Sequence, residues 1–233
     1  MRELHDHYFR QAKSEGYRSR AAYKLKEVDD RRRVLKRGDC VLDCGAAPGS
    51  WMQVAAERVG ERGRVVGVDL LAIEPIHDKT NVAFVQGDLA EVDDATLLAA
   101  AGLDVSDRRA RFDVIISDMA PNTSGERSAD HHRSIRLCEL VLDRAVTLLK
   151  PGGNLVMKVF EGERSAELMT RTKQLFEHAK GFKPKASRSE SFEMYVIALG
   201  YRGAGAAQGE ASTQPESNER PLPPDVKRGW GGA

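Results

Sequence analysis

The stretch VLDCGAAPGSW, residues 41–51, constrains the chain more than any other. Val41, Leu42 and Cys44 read as a short buried strand, and Gly45 and Gly49 permit backbone conformations and close approaches that a Cβ would obstruct. Pro48 suits the first turn of a following helix, where its missing N–H would have been unpaired in any case. A strand, a glycine turn and a helix N-terminus together form a nucleotide-type ligand site at one edge of an open α/β sheet. The spacing is not the dinucleotide fingerprint GxGxxG, and no GxxxxGK[ST] phosphate loop occurs in the 233 residues. A loop of this kind fits a ligand with an adenosine but no pyrophosphate, and S-adenosylmethionine is the candidate.

Downstream, the pattern of a strand delivering an acid repeats. The strand expected over 64–70 carries Asp69 at its end, about two dozen residues after the glycine loop, where doubly wound folds place an acid for ribose hydroxyls. The strand over 82–89 carries Asp88, and the strand over 112–122 delivers Asp118. Between them lie helices expected over 50–59, ending at Gly60, and over 93–101. A polar loop, APNTSGERSAD, precedes a helix over 130–149 and the stop Lys150-Pro-Gly-Gly153. Then come a strand over 154–160, a helix over 164–179 and a last strand from about residue 192. The expected fold is α/β: a Rossmann-like, mostly parallel central sheet with helices on both faces.

Length and composition, with 41% hydrophobic and 30% charged residues, suit one such domain over 19–201. A basic arm, 1–18, precedes it, and a tail of Gly, Ala, Ser, Pro and charges, 202–233, is expected to be disordered. A helix with Ser19 as its N-cap should run to about residue 33. Residues 1–37 hold twelve Lys and Arg against six Asp and Glu, in a chain of formal net charge +1. Tyr8, Phe9, Tyr17 and Tyr23 lie among these cations, a combination suited to nucleic acid. No apolar stretch approaches the roughly 20 residues that span a bilayer, and the polar start is unlike a signal peptide. No membrane association, a cytoplasmic location and a monomeric state are therefore expected. Cys40, Cys44 and Cys138 form no CxxC pair and read as packing residues; no metal site is expected.

Four polar residues stand in awkward places: Lys24 on the border of a helix face, Asp118, Lys158 in the middle of an apolar strand, and Glu193 at the start of another. With SRAAYKL around Lys24, DCGAAPGSW, SDMAPN around Asp118, MKVF around Lys158 and SFEMYV around Glu193, the chain from about 18 to 199 resembles the FtsJ/RrmJ (RlmE) family. Those enzymes are S-adenosylmethionine-dependent 2′-O-ribose methyltransferases of large-subunit ribosomal RNA. The resemblance implies that Lys24, Asp118, Lys158 and Glu193 are catalytic. It further implies cofactor contacts at Gly49, Trp51, Asp69, Asp88 and Asp118, beside Gly45 of the loop. Ser50 stands where the family pattern has a second glycine. The substrate it implies is a uridine of 23S rRNA in the large ribosomal subunit, methylated late in assembly. Relatives with the same four residues act on tRNA or mRNA caps.

The chemistry fits these residue types. A ribose 2′-OH is a poor nucleophile, so an enzyme must align it with the departing sulfur and help remove its proton. A lysine can do so only when neutral, which burial and a second cation, Lys24, favour for Lys158. Asp118 and Glu193 would hold the two lysines. An amino-group methyltransferase would show an Asn/Asp-Pro-Pro-aromatic tetrapeptide, and a pyrimidine C5-methyltransferase a loop cysteine; neither occurs here. The missing GxGxxG argues against an NAD-dependent oxidoreductase. A non-catalytic module that holds S-adenosylmethionine and RNA is the other class of reading, disfavoured by an intact Lys158.

Overall fold

The computed structural model describes residues 2–187 and 191–205, with side chains from residue 7 on. The tail from 206 on, expected to be disordered, lies outside the described residues. The elements in order are α1 (Arg2–Ser14), α2 (Ala22–Arg32), β1 (Cys40–Cys44), α3 (Ser50–Val59), β2 (Arg64–Asp69), β3 (Val82–Gln86), α4 (Asp94–Ala100) and β4 (Phe112–Ser117). They continue with α5 (Arg127–Leu148), β5 (Leu149–Phe160), α6 (Ser165–Leu175), β6 (Phe176–Phe182) and β7 (Glu193–Tyr201). The strands form one seven-stranded sheet in the order β3-β2-β1-β4-β5-β7-β6. β1 to β5 are parallel, and β7 runs antiparallel between β5 and β6. β1 sits where the strand order reverses, so the glycine loop after it opens into the crevice where such sheets bind ligands.

Because side chains alternate along a strand, each strand of a two-sided sheet feeds two cores. On one face Leu42, Cys44, Ile115, Leu155 and Met157 meet the stripe Ile135, Cys138, Val141, Leu142 and Ala145 of α5. On the other Val41, Val114, Ile116, Val156 and Tyr195 meet Leu25 and Val28 of α2 and Trp51, Met52 and Ala55 of α3. All three cysteines are buried and free, as packing residues would be.

Local reading and tertiary structure differ at several places. The helix expected over 164–179 stops at Leu175, and its last residues join β6, a strand absent from the sequence reading. Phe176 is fully buried against the Tyr201 ring, with centroids 5.5 Å apart, and pairs with Tyr201 in the ladder. The open edge of β7 thus captures a segment whose own pattern specifies no strand. β5 likewise begins at Leu149, through Pro151 and Gly152, instead of at 154. α5 starts at Arg127, three residues earlier than expected. α2 starts at Ala22 with no side-chain cap, and the Ser19 hydroxyl instead accepts from the Ala21 N–H at 3.2 Å. Pro48 lies ahead of the α3 N-cap Gly49, so it belongs to the loop, with a cis Ala47–Pro48 bond. The arm already contains α1. Ala12 and Tyr8 of this helix pack on Tyr23 and Ala186.

Gly45 is held at φ +75°, and a Cβ there would stand 2.2 Å from Cγ of Met119. Gly45→Ala should therefore lower stability by about 1–3 kcal/mol, through left-handed strain and overpacking. Urea unfolding measures this; an unchanged midpoint would mean that the loop after β4 gives way freely.

Candidate active site

The carboxyl ends of β1 to β4 enclose a cavity of about 520 Å³, a size typical of small-molecule sites. Gly45, Asp69, Asp88 and Asp118 line it together with apolar side chains such as Leu71 and Leu137, and no lysine, arginine or histidine does. A wall whose only charged groups are carboxylates repels phosphates and favours a ligand with hydroxyl donors and positive charge. Asp69 also braces the crevice, since its carboxylate accepts the Ala47 N–H at 2.9 Å and the Leu71 N–H at 2.9 Å. Asp88 accepts the Ala90 N–H at 2.8 Å. Carboxylate oxygens have lone pairs to spare beyond these bonds.

Gly49 and Trp51 do not line the cavity. A Cβ at Gly49 would meet Arg18 and Ile73, and Trp51 is buried with its indole N–H donating to the Ala21 carbonyl at 2.9 Å. Trp51 thereby ties α3 to the start of α2, the helix that carries Lys24. On the far side of the cavity, the Asp130 carboxylate on α5 accepts the backbone N–H of Ser124 at 2.8 Å and of Gly125 at 3.3 Å. It pins the polar loop after Asp118.

The four awkward residues converge. Lys158 on β5 stands opposite Tyr195 on β7, and Phe160 stands opposite Glu193. The period-2 alternation places Lys158, Tyr195 and Glu193 on the sheet face covered by α2. There the Lys24 ammonium meets Glu193 Oε1 at 2.6 Å, and the Lys158 ammonium meets Asp118 Oδ1 at 3.0 Å. Lys158 also donates to the Asp118 backbone carbonyl. Tyr195 donates its hydroxyl to the same Asp118 Oδ1 at 2.6 Å, its ring stands 5.8 Å from the Lys24 ammonium, and Trp51 stacks on it at 5.7 Å. Sequence reasoning missed Tyr195, although its position two residues after Glu193 puts both side chains on one face. It also passed over Asp43 of β1, which is fully buried and has no hydrogen-bond partner for its carboxyl among the described residues. Burial, followed by the charges of Asp118 and Asp69, pushes this carboxyl well above the usual carboxylate range.

Burial also pushes the Glu193 carboxyl up, but the charge and hydrogen bond of Lys24 outweigh it, and the group sits below its ordinary value. Its pairing therefore stabilises the fold fully above the unfolded value of about 4.3 and loses that effect as pH falls through the lower folded value. Glu193→Gln, which leaves the Lys24 cation buried without its counter-charge, should lower Tm by several degrees at pH 7. The gap from the parent protein should narrow below about pH 4.3; a gap independent of pH in thermal melts would show that the pair contributes no charge-dependent stability.

Comparison with known proteins gives one consistent result. The FtsJ-like methyltransferase family matches residues 17–201. A protein of Azoarcus sp. named ribosomal RNA large subunit methyltransferase E is 47% identical over 199 residues, covering 85% of this chain and 93% of its own. One of the same name from Rhodopseudomonas palustris is 46% identical over 228 residues, covering 96% of this chain and 88% of its own. A crystal structure described as a ribosomal RNA methyltransferase from Plasmodium falciparum superposes with a TM-score of 0.70 at 31% identity, over 80% of this chain and 100% of that one. With the match spanning the sheet, the acid-lined cavity and all four clustered polar residues, the chain belongs to the FtsJ-like methyltransferase family.

Proposed function

We propose that this protein methylates a ribose 2′-hydroxyl of ribosomal RNA, at a uridine of the 23S rRNA in the large subunit late in its assembly. We place it in the cytoplasm as a monomer; none of the described helices is long and apolar enough to cross a membrane. The observation that carries the chemistry is the Lys158 ammonium fastened to Asp118, a residue that itself lines the cavity. A lysine held at the mouth of a nucleoside-sized site is placed to meet a hydroxyl brought against the bound ligand. The names of the relatives support the RNA substrate.

The cavity fits S-adenosylmethionine, with Asp69 and Asp88 as acceptors for nucleoside donors, Gly45 as the point of close backbone approach, and Asp118 joining the cavity to Lys158. When bound, it supplies a methyl group on a positively charged sulfur. Lys158 has three N–H bonds when protonated, and Asp118 accepts two of them through its carboxylate and its carbonyl. The third can hold the 2′-oxygen in place, and the neutral amine can take the hydroxyl proton. Tyr195, bonded to the same carboxylate oxygen, fixes the direction in which Asp118 presents Lys158. Lys24 adds positive charge nearby and is kept from the substrate by Glu193. The carbon stems of Trp51 and Tyr195 exclude water behind them. The arm, residues 1–18, is read as an additional RNA contact.

Two measurements test this reading. Lys158→Arg keeps the charge but cannot give up its proton, so single-turnover methyl transfer should fall by about 10² to 10⁴ while S-adenosylmethionine affinity holds. Substantial activity in that variant would reduce Lys158 to a clamp on the ribose. Asp69→Ala should weaken S-adenosylmethionine binding by about 1–3 kcal/mol in calorimetry, and unchanged affinity would move the nucleoside elsewhere in the cavity.

A further inference from the structure

The sheet is polarised along its strands. Its carboxyl edge carries Asp69, Asp88 and Asp118, whereas the entries to β1 and β2 at the opposite edge carry Arg33, Lys36, Arg37, Arg62 and Arg64, all exposed. The two basic segments are stitched together by backbone bonds, Gly38 N–H to the Val59 carbonyl at 2.9 Å and Arg64 N–H to the Asp39 carbonyl at 3.0 Å. An open hollow of about 900 Å³, lined by Arg33, Lys36 and Arg37 with Asp29, Asp30 and Glu57 also in its wall, shares Arg37 with another of about 560 Å³ that Arg62 and Glu61 line.

Neighbouring cations are already neutralised: Arg31 meets Glu27 at 3.5 Å, and Arg58 meets Asp29 at 3.3 Å and Asp30 at 2.5 Å. None of the five side chains forms an ion pair with a carboxylate among the described residues, although the Asp39 carboxylate, which accepts the Lys36 backbone N–H at 2.8 Å, stands between the two segments. Glu61 is the lone acid in the second segment. Five like charges held this close repel one another, an arrangement relieved by a polyanion. Four of the five are arginines, whose planar fork matches phosphate oxygens, and no exposed aromatic or large aliphatic side chain lies among them to anchor a protein partner.

We propose that this edge is a second RNA-binding surface, taking the phosphate backbone of a segment of the substrate RNA remote from the methylated nucleotide. The proposal rests on the reading that the substrate is RNA. β1 spans five residues, so at about 3.3 Å per residue the basic edge lies about 15 Å from the cavity mouth. One nucleotide does not bridge that distance, but a folded RNA does. The surface would therefore favour large, structured substrates over short ones.

The experiment compares the full chain with Arg33→Gln/Lys36→Gln/Arg37→Gln/Arg62→Gln on two RNAs, a full-length large-subunit rRNA and a short oligonucleotide containing only the methylation site. With the long RNA, the slope of log K against log salt should become shallower by about three, since each lost phosphate contact removes about 0.7–0.9. KM for it should rise about tenfold with kcat unchanged, and both should stay constant on the oligonucleotide. S-adenosylmethionine affinity and the melting temperature serve as checks on folding. The pair Arg62→Gln/Arg64→Gln should give about half the change in slope. An unaltered slope and KM on the long RNA would overturn the proposal, as would equal losses on both RNAs. If the parent protein methylates neither free RNA, the kinetic comparison moves to large ribosomal subunits that lack the modification, where an absence of transfer would sink the functional reading, while the binding slopes on the free RNAs decide in either case whether the surface exists.

Discussion

Two buried ammonium groups set the terms for the rest of the structure. Lys24 is 6% exposed and Lys158 is 9% exposed, and a charge so far from water is tolerated only where it is paired and hydrogen-bonded. Each has one carboxylate from a different part of the chain, Glu193 and Asp118. The four contributors come from α2, the end of β4, the middle of β5 and the start of β7. Satisfying the two pairs therefore fixes how the first helix and the last strand of the methyltransferase fold meet the centre of the sheet. Tyr195 and Trp51 close that arrangement from behind, one bonded to Asp118 and the other to the start of α2. The energetic reason to assemble the site and the chemical reason to have it are carried by the same contacts.

The cavity beside this cluster works by the opposite logic. Its charged lining is acidic throughout, and two of its acids already serve the backbone, as Asp69 does for Ala47 and Leu71. A carboxylate that braces the loop has its direction fixed before a ligand arrives, so less order remains to be imposed on binding. Asp43 of β1, fully buried with no hydrogen-bond partner for its carboxyl among the described residues, is pushed well above the usual carboxylate range by burial and by the fields of Asp118 and Asp69. Acids at the carboxyl edge and bases at the entry edge give the sheet a charge polarity that the net charge of +1 conceals.

Much of this was legible in the residues. The apolar runs located six of the seven strands, and the acids at the ends of three of them located the cavity, because a strand buried on both faces must be a short continuous apolar run. The awkward positions of Lys158 and Glu193 were visible for the same reason. β6 was not legible, since FEHAKGF alternates in no consistent way and becomes a strand only because β7 offers an unpaired edge. Tyr195 was hidden by its type, as a tyrosine in a strand reads as core until the residue facing it is known. Trp51, a cofactor contact by the family resemblance, has its side chain turned away from the cavity lining. Its indole N–H bonds the Ala21 carbonyl, a partner 30 residues away that local reading does not supply.

The sequence by itself determined the periodicities, the glycine turn after the first strand, and the identities of the acids and lysines, all of which depend on neighbours within a few residues. Only the tertiary structure decided which lysine meets which carboxylate, that one oxygen of Asp118 serves both Lys158 and Tyr195, and that two basic segments 25 or more residues apart form one edge. Those outcomes depend on strand order and register. A single-residue slip between β5 and β7 would turn Tyr195 and Glu193 to the other face and leave both ammonium groups buried and incompletely paired. Strand order and register are set by long-range packing, which no local pattern encodes.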